Sequence, residues 1–176
     1  MATSVDLWEV IAAEAAVESP LWRESLRADP EREAVFSPLL ADERYAVGLE
    51  TIYEGYLLHY GRPRLFAPAD RDTALLLGDY LYAHGLVHVA KTGDVEAVSD
   101  LAELISLCSQ ARADGRDGDG AAWAATASAL GGGGLELARS ALRERGDATL
   151  LDASARVAAG DAAVDAALAA HARHVG

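Results

Sequence analysis

Two histidines, His84 and His88, are the residues whose type and spacing most directly suggest chemistry. They lie four positions apart, which places both imidazoles on one face of a helix. Helical zinc sites use this arrangement. A third ligand must come from another helix, and His59 and Glu54 are the available candidates. The alternative is that the pair makes polar contacts inside a helical bundle.

Tyrosines are concentrated in the same part of the chain, where they could serve either binding or packing. Tyr53 and Tyr56 lie in one apolar stretch, and Tyr80 and Tyr82 lie in the next. Their hydroxyl groups could line a ligand cavity, or their rings could pack in the core or at an interface. The side chains that would line such a cavity are Tyr53, Tyr56, His59, Arg62, Arg64, Asp79, Tyr80 and His84.

The stretch over residues 74–89 contains the histidine pair and has the most apolar helical pattern in the chain. Wound as a helix it places apolar side chains on every face, which is typical of a helix in the middle of a bundle. It is too short to cross a membrane, because a crossing helix needs about 20 apolar residues. We therefore expect a central buried helix, in which a charge at Leu77 would be severely destabilising.

The remaining pattern predicts an all-α bundle in a single domain over residues 1–176. Alanine is abundant, aromatic residues make up 6% of the chain, and no long run alternates with period two. Proline, glycine and capping residues predict where each helix begins and ends. The expected helices span residues 5–17, 20–27, 38–59, 71–91, 95–112, 121–130, 135–143, 150–158 and 162–171, the last ones in an alanine-rich segment over 145–176.

Charge and cysteine content exclude several classes of function. The net charge of −13 argues against nucleic acid or an anionic membrane as the partner, and leaves small molecules or another protein. The lone Cys108 lies in an apolar pattern, which predicts a buried, inert thiol and no internal disulfide. Four acidic residues precede the first basic residue, Arg23, so we expect no signal peptide and a cytoplasmic protein without a transmembrane segment.

Two glycine-rich stretches are expected to be loops. The sequence DGRDGDG at 114–120 spaces its aspartates like part of a calcium loop, but the glycine and glutamate of the EF-hand are out of register. A solvated loop is the better interpretation. The four glycines at 131–134 lack the Gly-Lys-Ser/Thr ending of a phosphate-binding loop, and predict a break or hinge between helices.

The most apolar stretch and its neighbours also resemble a known enzyme family. LLGDYLYA at 76–83 resembles the "LLAGDYLLA" helix of the trans-prenyl diphosphate synthases. Upstream, LETIYEGYLLH at 49–59 is similar to the family helix that ends in "LIHDD", and GRP at 61–63 resembles the Gly-x-Pro that follows it. Downstream, KTGD at 91–94 precedes an amphipathic helix, as in the family. The resemblance covers roughly residues 45–140 and implies a truncated isoprenoid-synthase fold.

The family's chemistry depends on two aspartate-rich motifs that hold magnesium against the diphosphate leaving group. Where the first motif would follow His59, this chain has Tyr-Gly, with Arg62 and Arg64 in place of carboxylates. After Gly146 no Asp-Asp-x-x-Asp spacing occurs. We therefore expect no magnesium, no other cofactor and no chain elongation.

The resemblance thus implies a non-catalytic protein, either an accessory or regulatory subunit of a polyprenyl diphosphate synthase or an isoprenoid-binding protein. The alternative is an independent small helical enzyme or metal-binding protein that uses His84, His88 and nearby tyrosine or glutamate residues. Family members pair through the two helices flanking the Lys-Thr-Gly-Asp turn, which implies a homodimer or a heterodimer with a prenyl diphosphate synthase. The implied contacts are Tyr82, Leu86, Val89, Val98, Leu101 and Ile105.

Overall fold

The protein is all-α, as the sequence predicts. The computed structural model describes residues 6–175, and within that range it contains nine α-helices and no strand. Two 3-10 turns, Ser37–Leu39 and Glu43–Tyr45, precede the third helix. The helices are α1 (Leu7–Glu18), α2 (Pro20–Glu24), α3 (Ala46–Tyr60), α4 (Arg71–Ala90), α5 (Val95–Ala113), α6 (Asp119–Ser128), α7 (Glu136–Arg145), α8 (Thr149–Ala159) and α9 (Asp161–Val175).

Capping residues set the helix starts that the sequence predicts best. The Asp70 carboxylate accepts a hydrogen bond of 2.8 Å from the Thr73 N–H group at the start of α4. The Asp94 carboxylate accepts one of 3.0 Å from the Ala97 N–H group at the start of α5. Each carboxylate satisfies an N–H group that the helix itself leaves free, so the starts of α4 and α5 are confirmed.

The predicted single helix over 38–59 is wrong. Residues Ser37–Leu39 form one 3-10 turn, Leu40 is extended, and α3 begins only at Ala46. The cause lies further along the chain, because the Glu50 carboxylate accepts hydrogen bonds from the N–H groups of Val35 (3.2 Å) and Ser37 (2.9 Å). These bonds hold residues 35–37 against the side of α3. The chain before Ala46 therefore cannot extend α3 towards the N-terminus as one straight helix.

The central buried helix is α3. The prediction that residues 74–89 form the central buried helix is therefore wrong. Every residue of α3 from Gly48 to Leu58 is buried. Helix α4 is buried at Leu77 and Leu81, but Leu76 is 58% exposed and Val87 is 49% exposed. The rest of the chain therefore leaves apolar side chains on one face of α4 uncovered.

Helices α3 and α4 are antiparallel and approach each other backbone to backbone through two pairs of glycines. A Cβ atom added to Gly85 would lie 2.7 Å from the Gly48 carbonyl oxygen. A Cβ atom added to Gly55 would lie 2.9 Å from the Gly78 carbonyl oxygen. Any side chain at these positions would therefore push the two helices apart.

Apolar clusters lie on both sides of α3. One joins α1 to α4 through Trp8, Ile11, Leu77 and Leu81. The larger one joins α3 to the later helices around Trp123. Cys108 lies in this cluster, and burial raises the pKa of its thiol, as expected of an inert cysteine. Within residues 6–175, no helix is both long enough and apolar enough to span a membrane.

Candidate functional site

The predicted ligand-binding residues lie in separate places, and the first is a buried ion cluster on α3. Arg64 donates a hydrogen bond of 2.7 Å to the Glu50 carboxylate and one of 3.0 Å to the Glu54 carboxylate. All three side chains are fully buried. The guanidinium carbon also lies 4.7 Å from the centroid of the Trp8 ring and 4.9 Å from that of Tyr53.

This cluster is fully hydrogen-bonded, which gives it a structural role. The second oxygen of Glu54 accepts bonds from the N–H groups of Arg64 (2.8 Å) and Leu65 (2.7 Å). Arg64 also donates to the Glu33 carbonyl oxygen at 2.7 Å. The carboxylates therefore hold the two segments that flank α3 onto the helix. Glu54 has no oxygen free for a metal, so its selection as a ligand candidate is wrong, and Arg64 faces no open cavity.

The Tyr53 ring contacts this ion cluster on one side, and the hydroxyl groups of Tyr53 and Tyr56 join a polar network between α3, α5, α6 and α9. The Tyr53 hydroxyl lies 2.9 Å from His171 Nδ1. The Tyr56 hydroxyl donates to the Asp119 carboxylate, and Arg112 donates to both groups. Trp123 fills the space between the two tyrosine rings and α6. These hydroxyls therefore serve the core and do not line an open pocket.

Asp119 is the anion of this network, and its burial corrects the prediction of a solvated loop over 114–120. It is the first residue of α6, and its side chain is 13% exposed. Burial by itself would raise the pKa of Asp119, but contacts with His171, Tyr56 and Arg112 more than offset this effect and hold the pKa well below its usual range. Burial and the negative charge of Asp119 raise the pKa of Tyr56. The network is therefore an ionised carboxylate held by neutral tyrosine and cationic arginine.

The other candidates line the surface of α3 and α4. His59 Nε2 lies 3.1 Å from the exposed Asp79 carboxylate. The Tyr82 ring stacks on the His59 ring at 5.1 Å between centroids. Arg62 is half exposed and pairs with Glu31. None of these side chains converges with the buried clusters on one ligand position.

His84 and His88 do share one face of α4, as their spacing predicts. Both contact the side chain of a third metal-ligating residue, Glu14, which the sequence did not reveal. The Glu14 carboxylate of α1 lies 2.7 Å from His84 Nε2 and 2.5 Å from His88 Nε2. Tyr80 stacks on His84 at 5.2 Å. The candidate third ligand His59 lies elsewhere, beside Asp79. Glu14 is separated from the histidines by 70 and 74 positions, and only the packing of α1 on α4 brings them together.

The residues predicted to form an interface divide into two groups. Val89 and Leu101 are 1% and 0% exposed and pack in the core of this chain, so they cannot form a contact with a second chain. Tyr82, Leu86, Val98 and Ile105 are partly buried beside the same core. The uncovered apolar side chains of α4 are instead Leu76 and Val87. The earlier set followed the apolar spacing, which cannot tell the covered face of a helix from the uncovered one.

Comparisons with known proteins leave the family open. No protein-family model, no curated protein and no solved structure matches this chain.

Proposed function

We propose that this chain is a non-catalytic accessory subunit that binds a polyprenyl diphosphate synthase through the outer face of α4. The observation that carries the proposal is the exposed apolar stripe on this helix. The stripe lies within the segment that resembles the synthases, so the likeness and the surface fall on the same element. The proposal rests on that resemblance for the identity of the partner.

The stripe follows the helical repeat along the whole of α4. Leu76, Ala83, Val87 and Ala90 are exposed at spacings of seven, four and three positions. These spacings place them on one face. Lone exposed apolar residues are ordinary on protein surfaces, but several along one face of a helix are typical of an interaction site. Asp72 and Asp79 interrupt the apolar positions on the same face and would set the register of a partner.

Net charge favours a different chain over a second copy. Each copy carries a charge of −13, so two copies repel each other over distances within the screening length. A partner with less negative charge avoids this cost. We therefore propose a synthase chain as the partner of the stripe. A homodimer formed through the stripe is the competing result in the light-scattering experiment described below.

The end of α3 supports the non-catalytic part of the proposal. If residues 49–59 correspond to the synthase helix that they resemble, the first aspartate motif would follow His59. Here the C-terminal end of α9 covers this position, because the Arg62 N–H group donates to the His174 carbonyl oxygen at 2.7 Å. A Cβ atom on Gly61 would lie 2.6 Å from the same oxygen. If the resemblance holds, backbone packing fills the position that the first aspartate motif would occupy, which supports a chain without the synthase chemistry.

A prenyl-transfer assay tests this function. The purified chain, given magnesium with allylic and homoallylic diphosphates, is expected to form no longer product than a boiled control. The same assay is then run on polyprenyl diphosphate synthases of the same organism, each expressed with and without this chain. An increase in product amount or length on co-expression supports the proposal, and turnover by the chain alone would contradict it.

A second candidate function, binding of an isoprenoid chain, is favoured by a groove beside α1. The groove has a volume of about 320 Å³, and its apolar lining includes Trp8, Ala12, Ala16 and Leu65. Arg27 stands at its edge. Titration with farnesyl diphosphate tests this function, and Ala12→Trp is expected to abolish binding by filling the groove. Equal affinity of the two proteins would exclude the groove.

A further inference from the structure

Glu14, His84 and His88 bring three metal-ligating atoms to one point between α1 and α4. Glu14 Oε2 and the Nε2 atoms of both histidines all lie within 4.8 Å of one another. Their side chains are 36%, 23% and 17% exposed. An ion from solvent can therefore reach the point, and the surrounding protein still limits the motion of the ligands.

Neighbouring aromatic rings fix the orientation of the imidazoles. Tyr80 stacks on His84 with ring planes 17° apart, and Trp22 of α2 stacks on Tyr80 at 5.9 Å. The His84 and His88 rings meet edge to face at 5.1 Å. Ligands held in this way lose little freedom when they bind an ion, which is what a preorganised metal site requires.

The charge at this point suits a cation. Glu14 contributes a carboxylate, and both imidazole Nε2 atoms are directed at the same carboxylate oxygen. A divalent ion that replaced these hydrogen bonds would be held by one anionic oxygen and two neutral imidazole nitrogens.

We propose that Glu14, His84 and His88 bind a divalent transition-metal ion of the zinc class. Two imidazole nitrogens and one carboxylate oxygen form a donor set that suits zinc, whereas magnesium and calcium require several oxygen ligands. In a tetrahedral zinc site the donor atoms are about 3.3 Å apart. The present separations of 2.5 and 2.7 Å would have to widen by less than about 1 Å, which rotations of the Glu14 side chain can supply.

The fourth coordination position would face a shallow groove. This groove of about 320 Å³ lies beside the site and is lined by Ala13, Val17, Glu18 and Tyr80 together with two of the ligands. A water molecule or a small anionic ligand would complete the coordination there. The ion would also link α1 to α4, and so fasten the N-terminal helices to the rest of the chain.

Metal titration of the tag-free, chelator-treated chain tests the proposal without any partner protein. Zinc chloride in isothermal titration calorimetry is expected to bind at one ion per chain with a dissociation constant in the micromolar range or below. Cobalt(II) chloride is expected to give the intense visible absorption of a tetrahedral ion. Bound zinc is also expected to raise the melting temperature, because it binds only the folded chain.

Three variants and a control separate this site from adventitious binding. Glu14→Gln, His84→Ala and His88→Ala are each expected to weaken zinc binding by more than about 10-fold, the lower end of what is lost when a residue that only hydrogen-bonds to a metal ligand is replaced. Circular dichroism checks that each variant remains folded. His59→Ala, which removes a histidine on the neighbouring helix, is expected to leave the affinity unchanged. Absence of binding, or equal loss in the control and in the three variants, would overturn the proposal.

Discussion

At the scale of single residues, the charges buried in the core explain why several candidate functional side chains are structural. Glu50 and Glu54 lie four positions apart in an apolar helix, a spacing that places both carboxylates on one face. Two charges on a buried face require a cation, and Arg64 supplies it. The sequence offers Arg62 and Arg64 in the loop after α3 as partners but does not show which of the two is buried. The resemblance to the synthases suggested instead that Arg64 stands where that family has a metal-binding aspartate.

Replacing Arg64 with methionine is expected to lower the free energy of unfolding by about 3–5 kcal/mol, since two buried carboxylates lose their cation. Urea unfolding at pH 7 measures the effect. Arg62→Met is the matched control, because Arg62 is 51% exposed and pairs only with Glu31, and it should cost less than about 1 kcal/mol. A similar decrease in the free energy of unfolding in both variants would show that the buried carboxylates do not depend on Arg64 for their stability.

Asp119 is expected to make the free energy of unfolding depend on pH in the acid range. A carboxyl group whose pKa is lower in the folded chain than in the unfolded chain stabilises the fold above its unfolded pKa, about 3.9. This contribution is lost as the pH falls through the lower pKa of the folded state. Asp119→Asn should therefore cost about 1.5–3 kcal/mol at pH 6 and less at pH 3. Urea unfolding at both pH values tests this, with the exposed Asp117→Asn as control. A loss independent of pH would contradict the assignment.

At the scale of elements, helix starts at a local cap were predictable, whereas the start of α3 and the burial of whole helices were not. The starts of α4 and α5 depend on local caps, which the sequence displays directly. Which helix is central depends on what covers each face, and apolar composition does not contain that information. Glycine spacing was a usable signal, since Gly48 and Gly55 are seven positions apart and so are Gly78 and Gly85. A spacing of seven places the two glycines of each helix on one face, where the other helix could approach closely, but it does not show the direction of that helix.

Leu76 and Leu77 are adjacent but should differ sharply in their tolerance of charge. Leu77 is fully buried, so Leu77→Asp must desolvate or protonate a carboxylate and should cost more than about 4 kcal/mol. Leu76→Asp, on the uncovered face, should cost less than about 1.5 kcal/mol, from lower helix propensity and repulsion by Asp72 and Asp79. Thermal unfolding of the two variants measures the difference. Similar melting temperatures would mean that α4 is rotated relative to the arrangement described.

The glycine crossing gives a second prediction at this scale. In an isolated helix Gly85→Ala would be favourable by about 1 kcal/mol. Here the new Cβ atom would lie 2.5 Å from Ile52 Cγ1 and 2.7 Å from the Gly48 carbonyl oxygen. We expect a net loss of about 1–3 kcal/mol in the free energy of unfolding, as in other overpacked cores. Increased stability of Gly85→Ala, measured by urea unfolding, would show that the helices are further apart.

At the scale of the whole molecule, the all-α architecture was predictable because alanine-rich periodic segments separated by proline and glycine allow little else. Sites assembled from distant segments were not. Glu14 and Asp119 each join their partners only through packing, and the local sequence of Asp119 is that of a solvated loop. Apolar spacing likewise did not show which side chains the chain itself covers, since Leu76 and Val87 are exposed and Val89 is not.

The proposed binding of a synthase to the α4 stripe can be measured by light scattering after size-exclusion chromatography. At micromolar concentration, the chain mixed with a polyprenyl diphosphate synthase of the same organism is expected to elute as a complex with the summed mass. The double variant Leu76→Asp and Val87→Asp should elute separately from the synthase. The control variant Leu137→Asp and Val157→Asp, which alters exposed apolar residues on α7 and α8, should still bind. Separate elution of the unaltered chain from the synthases, or a homodimer disrupted by the same double variant, would contradict the account.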